Sequence, residues 1–180
     1  MNEIKNFLSK EECDYLISLI DENNIPSMVV SEGIERDKYD RSRTSSTCNL
    51  PVNNEKVKEI HQRIADKLGI DISKGESLQG QMYKPGQYFR PHNDWFGPGS
   101  AYNKHCLHSG NRTNTFMIYL NDNFEGGETD FARKKVTVKP ELGKAVTWAN
   151  LLENGRGDQD SLHEGQDVIS GTKYIITSWW

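Results

Sequence analysis

The heptapeptide RPHNDWF, residues 90–96, sets two metal-ligand side chains, His92 and Asp94, one residue apart in an aromatic-rich run. On an extended strand, residues i and i+2 face the same side. An imidazole and a carboxylate would then aim at one point, with Asn93 facing away. His163, in DSLHEG, supplies a third ligand from a distant segment. Two histidines and one carboxylate on one face of iron leave three coordination positions open, enough for a chelating cosubstrate and dioxygen. A lone H-x-D pair is also common as ordinary surface polarity or as a hydrogen-bonding pair at the edge of a core. Its weight therefore depends on what surrounds it.

Lys173 follows His163 by ten residues, in VISGTKYIITSWW. If this run is a strand, Lys173 shares a face with Ile175, Thr177 and Trp179. A cation on a face of Ile and Trp is costly to bury unless it meets an anion, and a dicarboxylate cosubstrate would be one. The competing reading is an edge strand with a solvated lysine.

The elements that must position these groups are legible from periodicity and punctuation. Ser9 and Glu12 form a capping box ahead of a helix whose apolar face is Cys13, Leu16, Ile17 and Ile20. A second helix is expected over residues 54–68, with Val57, Ile60, Ile64, Ala65 and Leu68 on one face and Gly69 as its C-terminal cap. From Leu78 the pattern changes to short extended runs divided by Gly, Pro and Asn. Strands are expected at residues 78–83, 88–94, 113–120, 128–131, 135–139, 145–149, 168–169 and 172–180. Helices followed by many short strands predict a mainly β fold, a sandwich or jelly roll with the N-terminal helices packed outside. The long segment 95–111, with Gly97, Pro98 and Gly99, has the length of a lid or binding loop.

With 180 residues and no linker rich in Pro, Gly or Ser, the chain reads as one domain: a helical support region over 1–76 and a catalytic core over 77–180. Its net charge is −4 and it has no dense Lys/Arg run, which argues against nucleic acid. The start, MNEIKNFLSKEEC, has no apolar run suited to a signal peptide or membrane span. The three scattered cysteines, Cys13, Cys48 and Cys106, do not form a disulfide framework, so a cytoplasmic location is expected. His105, Cys106 and His108 cluster in the long loop, but a structural zinc site needs four ligands at paired spacings. Lid side chains are the expected reading for these three.

The ordered set YKPGQYFRPHND, RTNTFMIYLND, GGETDF, LGKAVTWAN and HEGQDVISGTKY resembles the prolyl 4-hydroxylase branch of the iron(II)/2-oxoglutarate dioxygenases. Upstream, FLSKEECDYLI and RSRTSST extend the similarity over nearly the whole chain. The resemblance implies a double-stranded β-helix, the cupin-like jelly roll. It implies iron bound by His92, Asp94 and His163, and the distal carboxylate of 2-oxoglutarate bound by Lys173. Tyr83, Thr115 and Tyr119 match cosubstrate-pocket positions, although Thr115 and Tyr119 fit nearly as well as core residues with satisfied hydroxyls. Arg112 and Trp179 match positions bordering a peptide groove, where a surface ion pair and core packing are the competing readings. Phe89 departs from the pattern, standing where relatives often carry tyrosine. The paired glycines of GGETDF suit a tight turn.

The expected activity is therefore iron(II)- and 2-oxoglutarate-dependent hydroxylation of prolyl residues in a proline-rich or collagen-like peptide or protein. Dioxygen is consumed, succinate and carbon dioxide are released, and ascorbate serves as reductant. The same chemistry on a free amino acid, small molecule or nucleobase is the first alternative. A metal-binding jelly-roll module without turnover is the second, and Lys173 argues against it.

Overall fold

The computed structural model describes residues 1–28, 41–99, 106 and 110–180. The chain begins with β1 (Asn2–Ile4), α1 (Lys10–Asn23), β2 (Ile25–Pro26), β3 (Ser46–Asn49) and α2 (Glu55–Leu68). It continues with β4 (Gln79–Tyr83), β5 (Phe89–His92), β6 (Asn114–Tyr119), β7 (Glu125–Gly126), β8 (Thr129–Phe131) and β9 (Val136–Val138). It closes with β10 (Ala145–Ala149), β11 (His163–Gly165), β12 (Val168–Ser170) and β13 (Lys173–Trp179). No helix among the described residues is long and apolar enough to cross a membrane.

Both helices start and stop where their caps dictate. Ser9 accepts from the Glu12 backbone N–H while the Glu12 carboxylate accepts from the Ser9 N–H, closing the capping box ahead of α1. The Asn54 side chain caps α2, and Gly69 ends it in the left-handed conformation with its N–H on the Ala65 and Asp66 carbonyls.

The strands form a major sheet in the order β1-β10-β6-β13-β4-β3-β2, facing a smaller sheet β5-β11-β8-β9, with β7 and β12 paired beside them. This is the jelly-roll type expected from the strand pattern. The N-terminal region is not only helical, however. β1, β2 and β3 all lie before residue 77 and complete both edges of the major sheet. Their shortness explains why periodicity did not reveal them.

Alternation along β13 divides its side chains between two cores. Tyr174, Ile176 and Trp180 join Leu16, Ile20, Ile60 and Ile64 in the cluster beneath the helices. Lys173, Ile175, Thr177 and Trp179 face the space between the sheets, where Tyr83, Met117, Tyr119, Phe131 and Trp148 form the second cluster. The expected shared face of Lys173 is therefore present. Its strand is not an edge, because β13 lies between β6 and β4, and Lys173 is 1% exposed. The solvated-lysine reading fails for that reason.

Gly80 of β4 is where α1 meets the major sheet. A Cβ built there would lie 2.5 Å from Ile20 Cγ1 and 3.1 Å from Cys48 Sγ. Gly80→Val is accordingly expected to destabilise the fold by about 1–3 kcal/mol, the usual cost of overpacking. The urea midpoint should fall, and an unchanged midpoint would show that α1 has room to move.

Candidate active site

β5 and β11 pair antiparallel with His92 directly opposite His163. Asp94 lies two residues beyond the end of β5, in a bend. The expectation of one strand through residue 94 is thus corrected, and the turn, not strand alternation, delivers the carboxylate. Asp94 Oδ1 is 3.7 Å from His92 Nε2, and Oδ2 is 3.8 Å from His163 Nε2. One ligand atom from each residue lies within 4.8 Å of the others. These gaps are too long for hydrogen bonds between the groups, yet the three atoms converge on one point.

The second nitrogen of each imidazole is fixed by backbone. His92 Nδ1 is 2.9 Å from the Arg90 carbonyl, and His163 Nδ1 is 2.9 Å from the Ser161 carbonyl. A carbonyl can only accept, so in the neutral ring Nδ1 carries the proton and Nε2 keeps its lone pair toward the site. Burial, reinforced by neighbouring His163, pushes the His92 imidazolium well below its ordinary pKa, which favours the neutral ring. For Asp94, burial alone would raise the pKa. His163, His92, Arg112 and the Thr115 hydroxyl outweigh it and hold the carboxyl below its usual range. The Thr115 hydroxyl donates to Asp94 Oδ2 at 2.6 Å and accepts from Asn150 Nδ2 at 2.8 Å. Two imidazoles whose neutral tautomer points Nε2 into the site, and one carboxylate, each held from behind, suit a divalent cation such as iron(II).

Lys173 lies deeper in the same pocket. Its ammonium donates to the Gly127 carbonyl at 2.7 Å and approaches the rings of Tyr83 at 4.9 Å and Tyr119 at 5.6 Å. Gly126 and Gly127 both have positive φ (74° and 67°), so the tight turn read from GGETDF is what presents this carbonyl. Burial pushes the Lys173 pKa down to about 7, against a smaller opposing effect from Glu128.

The remaining expected residues divide. Tyr83 lines the pocket, and its hydroxyl donates to Gln81 Oε1 at 2.8 Å. Thr115 and Tyr119 sit behind the pocket wall: Thr115 braces Asp94, and the Tyr119 hydroxyl pairs with Thr129 Oγ1 at 2.6 Å. Trp179 lines the pocket. Arg112 stacks 4.1 Å over the Trp179 ring and forks onto the Glu76 carboxylate, so the ion pair named as a competing reading is present. His105, His108 and most of the expected lid fall outside the described residues, while Cys106 is buried. Among the described residues, the triad is the single cluster of three or more metal-ligating side chains.

Sequence reasoning overlooked the polar wall opposite. Gln81 bridges Tyr83 and the Thr177 hydroxyl, the latter at 3.0 Å. Buried Arg43 reaches Ser45, Thr47 and Gln79 at 2.9–3.2 Å. Gln79, Gln81 and Tyr83 occupy every second position of β4, a period-two signal that could have revealed the glutamines. Arg43 comes from a segment with no such period.

Comparisons with known proteins agree with this geometry. The family described as the 2OG-Fe(II) oxygenase superfamily matches residues 78–180. The probable prolyl 4-hydroxylase 3 of Arabidopsis thaliana is 37% identical over 97% of this chain, which spans 66% of that protein's length. The prolyl 4-hydroxylase subunit alpha-1 of Bos taurus is 35% identical over 68% of this chain and 23% of its own. Among solved structures, the 2OG complex of a viral collagen prolyl hydroxylase from Paramecium Bursaria Chlorella virus-1 superposes with a TM-score of 0.76. It is 29% identical and is matched over 99% of this chain and 93% of that one.

Thr115→Val should leave the fold intact and weaken Co(II) binding by on the order of 10–100-fold, the usual effect of removing a group that orients a metal ligand. Calorimetric titration measures this directly. Undiminished affinity would mean that Asp94 keeps its orientation without the hydroxyl.

Proposed function

The chain belongs to the 2OG-Fe(II) oxygenase superfamily, and from that premise we propose that it is an iron(II)- and 2-oxoglutarate-dependent dioxygenase hydroxylating prolyl residues of a peptide or protein. The observation that carries the proposal is one pocket lined both by the His92/Asp94/His163 cluster and by a buried ammonium with no carboxylate within hydrogen-bonding reach among the described residues.

Bound iron supplies the oxygen chemistry, coupling dioxygen to decarboxylation of 2-oxoglutarate into succinate and carbon dioxide. The chain itself binds and orients. His92, Asp94 and His163 would hold the metal. Lys173 neutralises the distal carboxylate, while Tyr83 and Ile175 form the walls around the chain of the cosubstrate. Trp179, with Arg112 stacked against it, forms the rim where a peptide would lie. No side chain is required as a nucleophile. Ascorbate is the proposed reductant. Cytoplasmic residence is part of the same proposal, supported by three unpaired, buried thiols.

Proline-rich peptides should stimulate succinate release and gain one oxygen on proline by mass spectrometry. Stimulation by a free amino acid or small molecule, with none by any peptide, would replace the substrate assignment. His92→Ala, Asp94→Ala and His163→Ala should each abolish turnover while the fold survives, and near-full activity of any one at limiting iron would contradict the triad.

Lys173→Ala should weaken 2-oxoglutarate binding by on the order of a hundredfold or more, since breaking a buried ion pair costs about 3–5 kcal/mol and each decade is about 1.4 kcal/mol. Iron affinity should barely change. Lys173→Arg should rescue only in part, because the planar guanidinium is larger and prefers a forked approach.

The pH dependence follows from the lowered pKa of about 7 for Lys173. Below that value the ammonium is already formed and affinity is at its maximum. As pH rises through it the free protein loses the charge, so affinity should fall by up to roughly tenfold per pH unit, with proton uptake on binding. Calorimetry in two buffers of different ionisation enthalpy measures the uptake. An affinity flat across this range, or a slope retained in Lys173→Met, would assign the dependence elsewhere.

A further inference from the structure

The two histidines of the site are held unequally. His163 is wedged between Trp148, at 4.7 Å and edge-on, and Phe131, at 5.5 Å, and its side chain is 7% exposed. The His92 side chain is 21% exposed. Its rotation about the Cα–Cβ and Cβ–Cγ bonds is restrained by the Arg90 carbonyl and by Phe89, whose ring lies flat on the imidazole at 3.5 Å with planes 14° apart.

This stack is not available to a regular strand. Residues three apart on a β-strand point to opposite faces. In the β5–β11 pair, His163 faces His92 and Gly165 faces Phe89. Two steps on β11 therefore oppose three on β5, a β-bulge that returns Phe89 and His92 to the same side. The extra residue falls at Arg90–Pro91. Proline has no N–H to lose from a ladder, which is why bulges and edges accept it. Gly165, opposite, offers no side chain to compete for the space.

Phe89 is itself anchored from the N-terminal region. Its backbone bridges Arg43, with flanking hydrogen bonds from Arg90 N–H to the Ser42 carbonyl at 2.8 Å and from Thr44 N–H to the Tyr88 carbonyl at 3.1 Å. The Arg43 guanidinium lies 4.9 Å from the centre of the Phe89 ring.

We propose that Phe89 is a positioning residue for metal binding: the Arg90–Pro91 bulge and the Arg43-anchored Phe89 ring together hold His92 with Nε2 aimed at the ion. The inference rests on the metal site proposed above. Its requirement is a flat aromatic face, not merely a filled volume.

The test compares Phe89→Met, which fills the space without a flat face, with Phe89→Tyr, which keeps the face, by titrating Co(II) into the anaerobic protein and recording the visible d–d spectrum. Phe89→Met should lose on the order of 10–100-fold in Co(II) affinity, with an altered spectrum, while Phe89→Tyr stays near the unaltered protein. Equal affinity and spectra for Met, Tyr and Phe would overturn the proposal, as would equal losses in Met and Tyr. If the unaltered protein failed to bind Co(II), the metal site itself would be wrong, which is a separate outcome. A variant-free readout guards against misfolding of Phe89→Met. In the metal-free protein, ring current from Phe89 should shift the His92 ring protons upfield of free imidazole, and unshifted protons would overturn the stack.

Discussion

The pairing of β5 with β11 is the contact on which the site depends. It sets His92 opposite His163, and everything else that faces the metal point is arranged around that register. A slip of one residue would turn every side chain of β5 to the other face. The bulge, the Arg90 and Ser161 carbonyls behind the imidazoles, and the N-terminal bridge to Phe89 all act to keep that register. The Asp94 carboxylate enters from the turn that follows, where the Thr115–Asn150 pair holds it.

The chemistry of the pocket is set by what has been buried without a full partner. An ammonium loses hydration when enclosed, and Lys173 donates to the Gly127 carbonyl with no carboxylate within hydrogen-bonding reach among the described residues, whereas Asp94 is compensated by its neighbours. The consequence is visible in the lowered pKa of Lys173. A dianion reaching Lys173 would relieve that deficit, and a cation would sit among the converging ligand atoms of His92, Asp94 and His163. That is why the pocket reads as a place for two ligands of opposite charge and not as a core polar network. The surrounding wall is built for the same end: the inner face of β13 carries Lys173, Ile175, Thr177 and Trp179 in turn, while its outer face is committed to the helices.

Much of this was legible in the chain. Helix caps are local chemistry, so Ser9/Glu12 and Asn54/Gly69 could be read directly. Lys173 was legible because a cation within an Ile/Trp period is conspicuous. Asp94 was found with the right partner but by the wrong geometry, since strand alternation and a bend can bring the same residue to the same point. Thr115 and Tyr119 show the limit of reading by strand face: both point inward, yet hydroxyl hydrogen bonds to Asp94 and Thr129 place them behind the pocket wall. β2, β7 and β11 are too short to show a period, and Arg43 is brought to the site by long-range pairing that no local pattern encodes.

The central claim is that the cation site and the Lys173 anion site are two ends of one ligand-binding pocket. Anaerobic titration of 2-oxoglutarate into the metal-free and the iron(II)-loaded protein tests it most directly. The account predicts one site in both states, with markedly tighter binding when iron is present. Equal affinity in the two states would contradict it, because the dicarboxylate would then be reaching Lys173 without meeting the metal.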